Sequence, residues 1–485
     1  MMMIRKLLAV IISFFVLSTA SFSVVRYTKG SPIQASERQY SFDDSRLLIG
    51  GYFFNTADCS DEQFEYIKQA GIDYIVAYPT DEFLDKCQEY DIGVIGVSYN
   101  IPANCNVTEY KDYWMDTSLW NRYSPTGYRA HPALWGDLMI DEPRATCFED
   151  LNEMLEVYYN EAATRGKMPY INLFPAYAEA EVLGVELKEN RLRDVAASLF
   201  HARPRLSNFG TSKYADRLVK LGDFSDKNIE AFKIYISDYI NKVDTDYISL
   251  DIYPLKKDDV TDGTWLRSLD IVAEACRETN RYMIVTTQAA GLADGNYRYA
   301  DSFEDINWQS MISLSFGARA IIHGCYYSGY IRDIYMGWWD QDSHCIDAEG
   351  NRTATYYAVQ QSNEFVKSFA EEYVSYDYMG AFLTNPYGKN EGMNSGYLSP
   401  VKGDKRCSVS SDDSVLVGCF SRGEERAYTF VNLESTKTDS TASVNAVFEN
   451  ASQITVYTKD GVRRLNSNSL DYTLQTQEGI FVTVR

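Results

Sequence analysis

Basic charge is in short supply in this 485-residue sequence: 46 Lys and Arg stand against 68 Asp and Glu, for a net charge of −22. A surface of that sign repels phosphate backbones and anionic lipid, which argues against a nucleic-acid partner and leaves neutral or cationic substrates open. The nine cysteines lack the tight spacing of a zinc site or a redox pair, so neither a structural metal nor a cofactor is expected. Their odd number leaves at least one thiol unpaired, and Cys407 with Cys419 is a candidate bridge between neighbouring strands. No Gly-rich phosphate turn follows the first apolar run, since GGYFFN is not a dinucleotide fingerprint. Beyond the amino terminus there is no second long apolar run, which excludes a polytopic membrane protein. A hydrophobic share of 45% with 24% charged residues excludes disordered and fibrous classes.

What is present begins with MMMIRKLLAVIISFFVLSTASFSVVRYTKG, residues 1–30. Arg5 and Lys6 precede an apolar run from Leu7 to Leu17, and Ser18, Thr19 and Ala20 form a small-residue stretch suited to signal peptidase. Uncut, Leu7 to Val25 is long enough to span a bilayer. The segment is read as a signal peptide or membrane anchor, and the protein as secreted or held at the cell surface.

Short β-rich runs then alternate with helical patterns. The runs are LLIGGYFF (47–54), GIDYIVAYP (71–79), DIGVIGVS (91–98), ALWGDLMIDEP (133–143), MPYINLFP (168–175), DYISLDIYP (246–254), YMIVTTQAA (282–290) and ARAIIHGCYY (318–327). Amphipathic stretches such as SDEQFEYIKQAG, TDEFLDKCQEY and FEDLNEMLEVYYNEAATRG lie between them. Eight strand–helix repeats give the α/β class and a (β/α)8 TIM barrel over residues 40–376. Two long connections, 99–132 and 176–224, would lie over its carboxyl face. From residue 378 to 485 the runs alternate without helical stretches, and KDG in ITVYTKDGVRRL signals a hairpin. That tail reads as an antiparallel β-sandwich domain.

Reactive groups in such a barrel belong at the carboxyl ends of the strands. Those ends offer Tyr78, Asp141 and Glu142, Asn172, Asp251 and Tyr253, Gln288, and His323 with Tyr326. Carboxylates, amides and tyrosines dominate, and no Ser or Cys nucleophile with an obvious His base is visible. Cleavage of a glycosidic bond needs that set: one carboxylic acid protonates the leaving oxygen, and a second carboxylate attacks the anomeric carbon or activates water. The amides and tyrosines would bind sugar hydroxyls, and Trp338 would stack on a pyranose face.

The stretch HPALWGDLMIDEP resembles the fourth-strand segment of barrel glycoside hydrolases, in particular poorly characterised bacterial relatives of the beta-galactosidase-like clan. INLFPAYA, DYISLDIYP, SFEDINWQSMISLSFGARAIIHGCYYSG and DAEGNRTATYYAVQQSNEF fit the same resemblance over roughly residues 45–375. It implies a carbohydrate substrate, with Glu142 as acid/base glutamate and Asp141 where the clan has Asn. It also implies a nucleophilic Glu at the end of the seventh strand, where this chain has Gln288. Asp251 is the leading substitute, with Asp141 next. Two other roles stay open at this point: Glu142 capping the following helix, and Asp251 orienting a loop. A non-catalytic carbohydrate-binding barrel is the alternative to an enzyme.

Overall fold

Eight parallel strands close into a ring in the computed structural model, which describes residues 45–97, 131–160, 164, 166–187, 227–256, 264–291, 297–324, 326–327, 344–384, 406–433 and 440–485. The leader, Trp338 and most of both long connections lie outside the described residues. The strands are β1 (Leu48–Tyr52), β2 (Tyr74–Ala77), β3 (Gly93–Gly96), β4 (Leu134–Asp141), β5 (Met168–Leu173), β6 (Tyr247–Ile252), β7 (Tyr282–Gln288) and β8 (Ala318–Gly324). Each pairs with the next, and Leu48 against Ala320 closes β8 onto β1. All eight fall within the runs read from sequence.

The period of two along each strand sorts the side chains into two layers. Tyr74, Val76, Ile95, Leu138, Tyr170, Tyr247, Ile284 and Ile322 fill the ring. Ile75, Val94, Ile171, Ile248, Val285 and Ile321 face outward into the helices. Because both faces are buried, the strands read as near-continuous apolar runs. The surrounding helices are α1 (Asp61–Gln69), α2 (Asp81–Glu89), α3 (Phe148–Asn160), α4 (Ala180–Leu183), α5 (Lys227–Lys242), α6 (Thr264–Thr279), α7 (Phe303–Ser315), α8 (Ala354–Lys367) and α9 (Ala370–Val374). Several start at side-chain caps, with Ser60 accepting from the Gln63 amide, Thr80 from Phe83, Ser302 from Asp305 and Thr353 from Tyr356.

The carboxyl-terminal part is antiparallel, in two sheets. One has the order β15-β14-β17-β12-β11-β9 and the other β10-β13-β16. Their ranges are β9 (Asp377–Leu383), β10 (Cys407–Ser410), β11 (Val415–Arg422), β12 (Glu425–Asn432), β13 (Ala442–Phe448), β14 (Ile454–Thr458), β15 (Gly461–Leu465), β16 (Ser469–Leu474) and β17 (Gly479–Val484). Val417, Tyr428, Phe430, Val444, Phe448, Val456 and Val482 form the core between the sheets. Lys459 and Asp460 make the two-residue hairpin between β14 and β15, as the KDG signal implies. The suggested Cys407–Cys419 bridge does not form: β10 and β11 belong to different sheets, and both residues are free thiols.

The sandwich is pressed onto the barrel through α7. Every residue of α7 from Asp305 to Ser315 is buried, because one side lies on β7 and β8 and the other on the six-stranded sheet. The Trp308 indole N–H donates to the Asn432 carbonyl at 2.9 Å, and Thr429 Oγ1 donates to Ser315 Oγ at 2.7 Å. Glycine permits this closeness at two points. A Cβ on Gly418 would stand 2.5 Å from the Ser315 carbonyl oxygen, and one on Gly479 would stand 2.6 Å from Met311 Cβ.

Candidate active site

Asp141, Asn172 and Asp251 end neighbouring strands and belong to the inward-facing set of the ring. For Asp141 this depends on an irregularity. Strict alternation puts Asp137 and Asp141 on the same face, yet Asp137 turns outward and accepts from the Tyr158 hydroxyl of α3 at 2.7 Å. The β4–β5 register shifts between Leu138 and Ile140, and the extra residue reverses the alternation before Asp141. Asp141 therefore pairs with Asn172 and faces the mouth.

Glu142 follows in a left-handed conformation, with φ of 50°. Such a conformation is rare and costly for a residue with a Cβ, and it recurs at functional sites. Neighbouring bonds hold it there. The Glu142 amide donates to the Asn172 carbonyl at 2.8 Å, and the next carbonyl, that of Pro143, accepts from the Tyr235 hydroxyl of α5 at 2.6 Å. Glu142 does not cap a helix: the short 3-10 turn Ala145–Cys147 is preceded by Arg144, without a side-chain cap.

The three acids keep partial solvent contact and act on one another. Burial, then the charges of Asp251 and Asp141, push the Glu142 carboxyl up to about 10. Burial, then Asp141, push Asp251 up to about 7, against hydrogen bonds from Asn172, its own backbone and the Tyr253 hydroxyl. Burial also raises Asp141, opposed by Asn172. At neutral pH the trio holds at least one proton, and Glu142 is the group best placed to keep it. Two carboxyls with different proton affinities are thus gathered at one mouth, an arrangement suited to acid and base work. Among the described residues no group of three His, Cys, Asp or Glu has the geometry to hold a metal ion.

One amide organises the trio. Asn172 Nδ2 donates to Asp141 Oδ1 and to Asp251 Oδ1, at 3.1 Å each, and Asn172 Oδ1 accepts from Ser249 Oγ at 3.2 Å. Asn172 is 4% exposed, so its side chain serves the carboxylates in place of the substrate-binding role expected for it. Tyr253 and Tyr78 remain partly open, and Tyr78 packs on the inner layer at the mouth.

Three expected substrate contacts are corrected. Gln288 is wholly buried, its Oε1 accepting from the Leu255 amide at 2.8 Å and its Nε2 donating to the carbonyls of Leu255 and Arg298 at 3.0 and 2.6 Å. It stitches the segments after β6 and β7 together. His323 pairs with Thr287 in the outward set, and its ring bonds Thr287 Oγ1 and Asn363 Oδ1. Burial holds that imidazole down at about 4, hence neutral, between the barrel and α8. Tyr326 is 1% exposed and stacks on Phe54 at 4.2 Å in the outer core.

Other residues at the mouth were not singled out from sequence. Tyr52 of β1, like Tyr78, packs against the inner layer. Tyr177, after β5, is held un-ionised by burial and by the charges of Asp251 and Glu142, while 39% of the residue stays exposed. It lies within INLFPAYA, four residues past the end of β5, where strand-end counting does not reach.

No family model and no curated protein matches the chain. Solved structures show a distant likeness. A GH42 beta-galactosidase from G. stearothermophilus is 10% identical, over 93% of this chain and 100% of that one, with a TM-score of 0.47. The beta-galactosidase from Bacillus circulans sp. alkalophilus is 8% identical, over 91% and 99%, with a TM-score of 0.42. That from the psychrophilic Marinomonas ef1 is 12% identical at a TM-score of 0.36, over 68% of this chain and only 62% of the other. At these identities, and with every TM-score below 0.5, the likenesses say nothing of chemistry, which rests on the chain's own residues.

Proposed function

We propose that the protein is an exported glycoside hydrolase, secreted or tethered to the cell surface through its leader, that cleaves a glycosidic bond by carboxylate catalysis. The observation that carries this reading is the convergence at the barrel mouth of a proton-retaining Glu142, held at φ 50°, with the more acidic Asp251. Glu142 delivers its proton to the leaving oxygen. Asp251 acts on the other side of the reaction, as nucleophile toward the anomeric carbon or as base toward water. Asp141 lends the site its extra negative charge. Among the described residues, what opposes the raised aspartates is hydrogen bonds from Asn172, Tyr253 and backbone rather than a Lys or Arg. The site therefore suits neutral or cationic glycans and disfavours uronic acids.

One observation favours a second reading, a non-catalytic carbohydrate-binding barrel: the end of β7 carries the sealed amide of Gln288 and no carboxylate. Hydrolysis of a broad glycan panel, followed by the Glu142→Gln variant on the best substrate, separates the two. An enzyme loses about 10²–10⁴-fold in turnover and keeps its sugar affinity. A wild type that binds glycan without turnover, or a variant that retains full turnover, removes Glu142 from the mechanism.

A further inference from the structure

Resting on that reading of the site, we propose that Asn172 is its positioning residue, one side chain that sets the orientation of both aspartates while its main chain holds Glu142. An amide has two N–H donors and one acceptor. Here the donors go one to each carboxylate, across the β4–β5 and β5–β6 seams, at 3.1 Å. The two accepting oxygens lie no more than twice that distance apart, so two like charges are kept close by a shared donor.

The orientation of the amide is itself determined. Tyr170 OH and Ser249 Oγ are 2.9 Å apart, and Ser249 Oγ is 3.2 Å from Asn172 Oδ1. Since Ser249 spends its proton on Asn172, Tyr170 donates to Ser249, and the chain has one direction: Tyr170 to Ser249 to Asn172 to the aspartates. Tyr170, Ser249 and Asn172 are 1%, 0% and 4% exposed, so water does not compete for these bonds. A flipped amide would aim its oxygen between two carboxylates, which rules that orientation out and leaves Oδ1 to accept from Ser249. The third acid is tied in through the backbone, where the Asn172 carbonyl accepts the Glu142 N–H at 2.8 Å. Asn172 thus touches all three acids.

The inference predicts how the carboxylates titrate. Among the described residues, Asp251 faces Asp141 and Glu142 from the end of β4, Tyr170 and Tyr177 from β5 and the segment after it, and Tyr253 just past the end of its own strand. Across the β6–β7 seam its partner is the neutral Thr286. Of these neighbours, Asp141 disfavours the ionised form of Asp251, while Asn172 and Tyr253 favour it.

The test compares wild type, Asn172→Ala and Ser249→Ala, the last keeping the Asn172 donors but losing the bond that orients them. Two readouts are taken: the pH profile of kcat and kcat/KM, and an infrared titration of carbon-13-labelled aspartate carboxyls. Expected for Asn172→Ala is a fall in kcat of about a hundredfold with KM little changed, as for a small misplacement of a reacting group. The acidic limb of the profile and the aspartate midpoints should both move to higher pH. Ser249→Ala should move them the same way by less, which covers the case in which Asn172→Ala does not fold. Unmoved aspartate midpoints in whichever variants fold overturn the inference, whatever happens to stability. Absence of turnover in the wild type sinks the hydrolase reading alone, because the infrared shift decides the role of Asn172 without it.

Discussion

Replacing Gln288 by Glu places at the end of the seventh strand the residue that the sequence resemblance implies there, and the structure says that it will damage the protein instead of arming it. The side chain has no exposed surface, and its NH₂ group donates to two main-chain carbonyls, Leu255 O at 3.0 Å and Arg298 O at 2.6 Å. In Gln288→Glu an oxygen faces those carbonyls. A protonated Glu has one O–H and can satisfy one of them, leaving one acceptor unpaired at a cost of about 1–3 kcal/mol. An ionised Glu satisfies neither and buries an uncompensated charge, so the folded state holds the proton and its pKa lies above the unfolded value of about 4.3. With the folded pKa raised, the protonated form is fully tolerated below the unfolded pKa, and stability is lost as pH rises from there toward the folded pKa. The slope is about 1.4 kcal/mol per pH unit, so the variant should be about 3 kcal/mol worse at pH 7 than at pH 5, relative to wild type. Urea denaturation of wild type, Gln288→Glu and Gln288→Met at both pH values measures this. The Met control loses all three side-chain bonds and should be destabilised equally at each pH. A Gln288→Glu variant as stable as wild type at pH 7, or one that gains glycan turnover, would refute the assignment of Gln288 as a stitch between loops.

Asp141→Asn removes a charge that raises both Asp251 and Glu142, so both limbs of the kcat/KM profile should move to lower pH. A profile that stays in place would separate Asp141 from the working pair. Gly418→Ala places a Cβ 2.5 Å from the Ser315 carbonyl oxygen and 2.5 Å from Thr429 Oγ1, both fixed by packing. It should cost about 1–3 kcal/mol, read as a lower unfolding temperature by calorimetry, with turnover intact where the variant is folded. An unchanged transition would mean that the sheet does not seat on α7 as described.

The order of elements was legible because its cause is local. A strand buried on both faces writes a continuous apolar run, and a helix on its outside writes a stripe of period 3.6, so alternation of the two spells the barrel. The antiparallel tail announced itself by one-face alternation, as in β13, and by its hairpin turn. Glu142, Asp141 and Asp251 could be picked out for the same reason, since their position at strand ends is a matter of counting. Counting failed one step later. His323 and Gln288 also end strands, but one belongs to the outward set and the other bends away onto the backbone of two loops. Tyr326 stands past β8, yet Phe54 from the other end of the barrel sequence covers it.

Which face a strand-end residue takes depends on register, and register depends on a single extra residue in β4 that no local pattern signals. Whether a carboxyl keeps its proton depends on charges more than a hundred positions away in sequence, as Asp251 is from Glu142. Segment type and order are therefore settled by short-range chemistry along the chain. The direction in which each functional group points, and the acidity it has there, arise only when distant strands lie side by side.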